Sequence, residues 1–205
     1  GAEMVLPLYI QNIRGESAFH SGLMLLPGAL IMGIMMPITG AIFDKYGGKQ
    51  LCITGMFILT AATLPFAFLT KDTPILHIII LYCIRMFGIS MVMMPVTTSG
   101  MNALPVNLMS HGTAVNNTFR PVARSIGTAI LISVLSNVTK GNLPSDSLLD
   151  ATPLAYKDKA IEATLAGYHA AFYVAAAFSL VGFFFAFTLK KKEPALKVLK
   201  GGANQ

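Results

Sequence analysis

Residues 22–43 read GLMLLPGALIMGIMMPITGAIF and contain no Asp, Glu, Lys or Arg. A helix of roughly 20 residues, rising about 1.5 Å per residue, crosses a bilayer core of about 30 Å. The stretch is therefore typical of a membrane-spanning helix. Residues 73–119 extend the pattern, since Arg85 is their only charged residue. Three further uncharged runs cover residues 51–70, 126–139 and 163–189. Together these runs predict an all-α, polytopic membrane helix bundle.

The composition agrees with a membrane protein. Of the 205 residues, 54% are hydrophobic and 12% are charged, and the mean hydropathy is +0.65. A soluble domain is about a quarter charged, so a soluble enzyme is excluded. The net charge of +6 does not indicate a nucleic acid partner, because the basic residues lie in short loops and a tail. No residue pattern predicts a cofactor, a metal site or a disulfide framework.

Five complete spans and one partial span are predicted. The complete spans lie within residues 12–189, at about residues 21–43, 51–70, 74–100, 113–137 and 167–189. Residues 1–11 are interpreted as the end of a further transmembrane helix whose beginning is absent, so the chain looks like a fragment. A long loop on the outer side is predicted at about residues 140–166, where Pro144 and Pro153 break regular structure. Within it, Leu154, Ile161 and Leu165 could line one side of a short surface helix. A basic tail follows at residues 190–205.

The lysines predict the orientation of the bundle. Lys45, Lys49 and the five lysines of residues 190–205 lie on one side of the membrane. Residues 140–166 lie on the other side and balance their lysines with acids. Because positively charged loops remain cytoplasmic, the C-terminus is predicted to be cytoplasmic in a bacterial inner membrane.

Polar and helix-breaking residues distinguish three of the spans. Those at about residues 21–43, 74–100 and 113–137 carry prolines, glycines, asparagines or arginines, whereas the other two are almost wholly apolar. Such helices are tolerated where they line protein or a water-filled cavity rather than lipid. The three spans are therefore the predicted walls of a cavity.

The loop after the first span has the sequence GAIFDKYGGK at residues 40–49. It resembles the cytoplasmic motif of the major facilitator superfamily, and Gly48 stands where that family usually has a basic residue. The matching positions are Gly40, Asp44, Lys45, Gly47 and Lys49. Independently of the family, Gly40 allows close helix approach and Gly47 permits a turn with positive φ. Asp44 can cap or face the positive N-terminus of a neighbouring helix.

A second set of segments narrows the resemblance. The segments are MMP at 93–95, NALP at 102–105, HGTA at 111–114, NNTFR at 116–120 and SIGTA at 125–129. They are similar to the helix-loop-helix of the fourteen-helix drug/proton antiporters, notably the lincomycin-resistance type. The resemblance covers roughly residues 1–135 and implies that the chain is the C-terminal half of such a transporter, with the N-terminal half missing. Pro121 and Arg124 depart from the pattern, which usually has Gln and Gly at these positions.

Arg85 is the strongest candidate for a functional residue. It lies about eleven residues inside its span, near the middle of the membrane, where a charge is costly and usually faces a cavity or a partner. Two interpretations remain, a functional or gating pair and a purely structural pair within the bundle. Arg120 and Arg124, one helical turn apart, and Asn116, one turn before them, form a polar stripe on the inner half of the span at about residues 113–137, which also contains Asn117. The alternative is that these first turns lie at the level of the lipid head groups.

Two weaker candidates are Glu3 and Met94. Glu3 is the only carboxylate predicted to be embedded, about eight residues or roughly 12 Å from Gln11. A proton-coupled carrier needs an embedded acid, so Glu3 is a proton-site candidate, the alternative being a bystander near the start of the chain. Met94 belongs to a set of methionines that suits either an adaptable apolar pocket or contact with lipid.

These observations predict a secondary transporter rather than an enzyme. The predicted activity is proton-coupled export of hydrophobic or cationic drugs by alternating access, in which this half rocks against the missing one around a midplane site. The predicted partners are small-molecule drugs, protons and the lipid bilayer. One alternative is a lipid or metabolite carrier of the same superfamily. Another is a noncatalytic membrane bundle or an inactive fragment.

Overall fold

The fold is all-α, as the sequence predicts. The computed structural model describes residues 1–102, 104–144 and 153–189, and these ranges contain helices and no strand. The helices are α1 (Ala2–Asn12), α2 (Ala18–Tyr46), α3 (Gly48–Thr63), α4 (Ile75–Asn102), α5 (Met109–Asn142) and α6 (Pro153–Phe187). A short 3₁₀ turn at Leu64–Phe68 follows α3, and another at Val106–Leu108 precedes α5.

Helices α2 to α6 are long and apolar enough to cross a membrane. The span of α3 includes the 3₁₀ turn that follows it. Large apolar side chains cover the outside of the bundle. Phe184 on α6 is 62% exposed and Leu76 on α4 is 67% exposed, which suits contact with lipid rather than with water. The chain is therefore a multi-pass membrane protein.

Several helices extend beyond the predicted spans. Helix α5 continues to Asn142, and α6 begins at Pro153. Residues 153–166, where the sequence predicts an outer loop that could hold a short surface helix, are therefore the first turns of the last spanning helix. Proline is favoured in the first turn of a helix, and residues 154–166 contain no further proline. Helix α3 ends before Pro65, because proline has no backbone N–H to donate to the helix, and the chain continues as a 3₁₀ turn. The middle of the predicted loop and the basic tail, residues 145–152 and 190–205, lie outside the described residues.

Helix α4 lies between α2 and α3 and packs extensively on both. Helix α3 also packs on α6, and α6 packs along α5. The short helix α1 contacts α2, α5 and α6, which places it in the middle of the bundle. By contrast, α4 and α5 meet at only a few positions. A gap therefore remains between these two helices.

The larger apolar core surrounds α1. Tyr9 packs edge-on against Tyr168, with ring centroids 5.6 Å apart, and Phe66 stacks on Phe172 at 5.4 Å. The Tyr9 hydroxyl donates a hydrogen bond of 2.7 Å to the carbonyl of Thr70, and the Asn12 amide donates one of 3.0 Å to the Tyr168 hydroxyl. These contacts fix the end of α1 against α6 and the segment after α3.

Glycines set the approach of α3 to α4. A Cβ atom on Gly55 would lie 2.8 Å from Met91 Cβ, and one on Gly88 would lie 2.9 Å from the backbone nitrogen of Leu59. Both distances are shorter than van der Waals contact, so the two backbones can cross this closely only without side chains. Beyond the crossing, Cys52 and Met56 form a smaller apolar core with Ala186 of α6.

Candidate functional site

A cavity of about 900 Å³ lies between α4 and α5, where the two helices separate. Its lining includes two glycines, Gly100 and Gly112, which add no side-chain volume. A Cβ atom on Gly100 would have no atom within 4 Å, so this wall of the cavity is open. The volume falls within the range of about 300–1,000 Å³ that is typical of pockets for small organic ligands.

The lining of this cavity is predominantly apolar. Met93, Met101 and Phe119 lie among aliphatic side chains of α4 and α5. The polar side chains are Thr97, His111, Asn116 and Arg120, and no Asp or Glu is among the described residues that line the cavity. Flexible, polarisable methionines adapt to ligands of different shape. The cavity can therefore take an apolar molecule and offer it a few polar contacts.

The structure brings some of the sequence candidates together and separates others. Asn116 and Arg120 line the 900 Å³ cavity, whereas Asn117 is exposed and does not. Met94 lies near Gly40 of α2, since a Cβ atom on Gly40 would be 3.6 Å from Met94 Cε. The neighbouring Met93 faces the cavity instead.

A second cavity, of about 690 Å³, lies between α1 and α5. Glu3 of α1, Arg85 of α4 and Arg124 of α5 line it, together with the hydroxyl-bearing Ser125 and Thr128. The structure therefore places Glu3 and Arg85 at one site. Neither arginine forms an ion pair with Glu3 within 4.0 Å in the described part of the chain.

Arg85 is enclosed by the bundle. Its side chain is only 9% exposed, and its Nε atom has no hydrogen-bond partner among the described residues. Arg85 lies about ten residues from Ile75 at the start of α4, or roughly 15 Å along the helix, so it is near mid-membrane. The neighbouring Tyr82 packs over Gly28 of α2, where a side chain would collide with the ring. Packing on both sides thus fixes this turn of α4.

The motif loop joins α2 to α3. Gly47 has a φ of 81°, a conformation that glycine adopts without strain. A Cβ atom on Gly48 would lie 2.6 Å from the Phe43 ring, so the departure from the family pattern at this position lets Phe43 pack on the start of α3. Lys45 lies 5.3 Å from the centre of the Tyr46 ring.

Lys49 and Asp44 behave differently in this loop. Lys49 Nζ donates a hydrogen bond of 2.8 Å to the carbonyl of Phe187 at the end of α6, where a cation is favourable. The start of α3 has no side-chain cap. Asp44 is exposed and makes no hydrogen bond or ion pair with the described residues. A helix that Asp44 would face must therefore lie outside them.

Arg124 belongs to the polar stripe predicted from the sequence, whereas Ser125 and Thr128 were not predicted as site residues, although the same spacing could have found Thr128. Asn116, Arg120, Arg124 and Thr128 recur every fourth residue, which places them on one face of α5. The first two line the larger cavity and the last two line the smaller one. The polar stripe therefore continues across both sites.

The fold and the site define the chain as a multi-pass helical membrane bundle with drug-sized cavities along a polar helix face. Residues 1–128 match the family model described as Major Facilitator Superfamily, and the chain belongs to this family. The match confirms the family indicated by the loop motif.

Relatives of this chain include named transporters. The uncharacterized MFS-type transporter YcnB of Bacillus subtilis is 50% identical over 193 residues, which are 94% of this chain and 38% of YcnB. The lincomycin resistance protein LmrB of Listeria monocytogenes is 44% identical over 133 residues, or 65% of this chain and 28% of LmrB. A multidrug resistance protein B homolog of Mycobacterium tuberculosis is 28% identical over 138 residues, or 66% of this chain and 26% of that protein. The chain thus spans well under half the length of these relatives.

Proposed function

We propose that this chain is part of a proton-coupled antiporter that exports hydrophobic or cationic drugs. The observation that carries the proposal is the 900 Å³ apolar cavity between α4 and α5, with Met93, Met101 and Phe119 in its lining. The resemblance to LmrB and to a multidrug resistance protein homolog supports the same substrate class. A cationic drug would need an acid from outside the described lining residues, because these supply Arg120 and no carboxylate.

The chain forms one of two bundles in this proposal, namely the C-terminal half of the carrier. A carrier of this kind alternates access by rocking two bundles around a site near the midplane. The exposed polar face of α5 supports this arrangement, because Arg120 and Arg124 are costly in contact with lipid and favourable against a second bundle. The membrane is the bacterial inner membrane, with the motif loop and the C-terminus cytoplasmic.

Glu3 is the proposed proton site within this chain. It lies in the second cavity with two arginines, near the depth of Arg85. A carboxylate in such a position can be neutralised by a proton or by a guanidinium, and alternating between the two would couple protonation to helix movement. Further proton-coupling acids are proposed to lie in the other bundle.

The test is pH-gradient-driven transport of ethidium, a cationic apolar dye, in proteoliposomes that contain the complete gene product. We expect transport only with an imposed gradient. Phe119→Ala removes an aromatic wall of the cavity and should raise the apparent KM for ethidium by about tenfold. Phe184→Ala, on the exposed surface of α6, should leave the KM unchanged. An equal transport rate with and without the imposed pH gradient would contradict the proposal. So would equal changes in the apparent KM for ethidium in the two variants.

A further inference from the structure

The cavity between α1 and α5 differs in charge from the larger one. Two guanidinium groups, from Arg85 and Arg124, and one carboxylate, from Glu3, line its volume of about 690 Å³. At neutral pH these side chains carry a net charge of +1. The hydroxyl groups of Ser125 and Thr128 add hydrogen-bond donors on the α5 wall. The site therefore favours an anionic group.

Arg85 provides an independent sign that a ligand belongs here. Its side chain is more than nine-tenths buried and lines the cavity, and among the described residues its Nε atom has no hydrogen-bond partner and its guanidinium has no ion pair. A buried charged donor without an acceptor is costly, and structures normally satisfy such groups. A guanidinium binds a carboxylate or a phosphate with paired hydrogen bonds. An anion in the cavity would supply the countercharge that no described carboxylate places within 4.0 Å of this guanidinium.

The position of the site relative to the larger cavity indicates the size of the ligand. Arg120 lines the larger cavity and Arg124, one turn further along α5, lines the smaller one. One turn separates the two residues by roughly 6 Å along the helix axis. The two cavities are therefore adjacent along α5, close enough for one amphiphilic molecule to reach both.

We propose that the Glu3–Arg85–Arg124 cavity binds the anionic group, a carboxylate or a phosphate, of an amphiphilic substrate. This inference rests on the proposed transport function and names a substrate class for it beyond neutral and cationic drugs. Arg85 and Arg124 bind the anionic group, while Glu3 opposes it by charge repulsion.

Binding of two dansyl compounds tests the site directly. N-dansylglycine carries a carboxylate, and N-dansylglycinamide is its neutral counterpart of nearly equal size. Binding is followed by dansyl fluorescence with the complete gene product in phosphatidylcholine nanodiscs, with empty nanodiscs as the blank. We expect the acid to bind about tenfold more tightly than the amide. Equal affinities for the two compounds would overturn the proposal.

Three variants locate the binding site. Arg124→Gln should weaken binding of N-dansylglycine by about tenfold and leave the amide unaffected. Glu3→Gln removes the opposing charge and should tighten binding of the acid by about threefold, a gain that misfolding would not produce. Lys140→Gln is the matched control, because Lys140 is an exposed basic residue near the far end of α5. Unchanged affinity in Arg124→Gln, or weaker binding in Glu3→Gln, would contradict the assignment.

Two further measurements separate the possible sources and the possible failures. If phosphatidylglycerol in the nanodisc displaces N-dansylglycine from the wild type, a lipid phosphate occupies the anion site; if it does not, the site selects free anionic compounds. Gradient-driven ethidium transport is measured on the same preparations. Transport without N-dansylglycine binding would overturn the anion site alone. Binding without gradient-driven transport would leave the site intact and overturn the proposed antiport.

Discussion

Arg85 combines burial, charge and an unsatisfied donor at one position of α4. Arg85→Leu removes the charge, whereas Arg85→Lys keeps it but loses the planar group that forms paired hydrogen bonds. If the guanidinium serves transport, both variants should reduce the initial rate of gradient-driven dye efflux, Leu by more than about tenfold and Lys by less. Membrane insertion, measured by the amount of purified protein, should be similar in all three forms. Equal efflux rates would show that Arg85 is not part of the machinery.

The sequence predicts the depth of a residue in the membrane better than its direction. Arg85 is identifiable because it is a charge within an apolar run. The cavity methionines are not, because residues 91–96 are all apolar, and the threonines Thr97 and Thr98 follow one turn after Met93 and Met94, so polarity does not distinguish the two directions. Successive helical residues point about 100° apart, so Met93 faces the cavity and Met94 faces α2.

At the scale of the helices, the crossing of α3 and α4 depends on Gly55 and Gly88. Gly88→Ala places a methyl group 2.9 Å from the backbone nitrogen of Leu59, so the helices must move apart. We expect a loss of about 1–3 kcal/mol, seen as an unfolding temperature in detergent several degrees lower. Gly33→Ala is the control, since a Cβ atom there meets nothing within 4 Å and alanine favours the helix. An unchanged unfolding temperature in Gly88→Ala would contradict the close crossing.

The motif loop gives a prediction about conformational change. Asp44 is exposed and unpaired within the described chain, so Asp44→Asn should change the unfolding temperature little. If Asp44 stabilises a closed state through a helix terminus of the other bundle, the Asn variant should still insert but transport about tenfold more slowly. Normal transport by the Asn variant would exclude that role.

Helix ends were less predictable than helix positions. The uncharged runs locate the centres of the spans, because hydropathy responds only to the apolar part of a helix. Helix α6 begins at Pro153, and its first turns contain Lys157, Asp158, Lys159 and Glu162. These charges lower the local hydropathy, so hydropathy does not indicate a helix there. The i+4 spacing of Asn116, Arg120, Arg124 and Thr128 was readable in advance, but its division between two cavities depends on where α1 packs.

At the scale of the whole molecule, the central claim is that the space between α4 and α5 belongs to the substrate path of a proton-coupled carrier. The chain covers 38% of YcnB and 28% of LmrB, and we propose that a second bundle completes that path. The apolar composition predicted the class of the molecule, and the polar spans predicted α2, α4 and α5 as cavity walls. The packing confirms α4 and α5, whereas no described residue of α2 lines either cavity.

Filling the cavity tests this claim most directly. Gly100→Trp places a large ring in open space within the cavity, and Gly141→Trp places the same ring in open space at the end of α5. The measurement is the initial rate of pH-gradient-driven ethidium transport by the complete gene product in proteoliposomes. We expect Gly100→Trp to lose at least about tenfold in rate, while the wild type and Gly141→Trp transport equally. A wild-type rate in Gly100→Trp would contradict the claim that the substrate passes between α4 and α5.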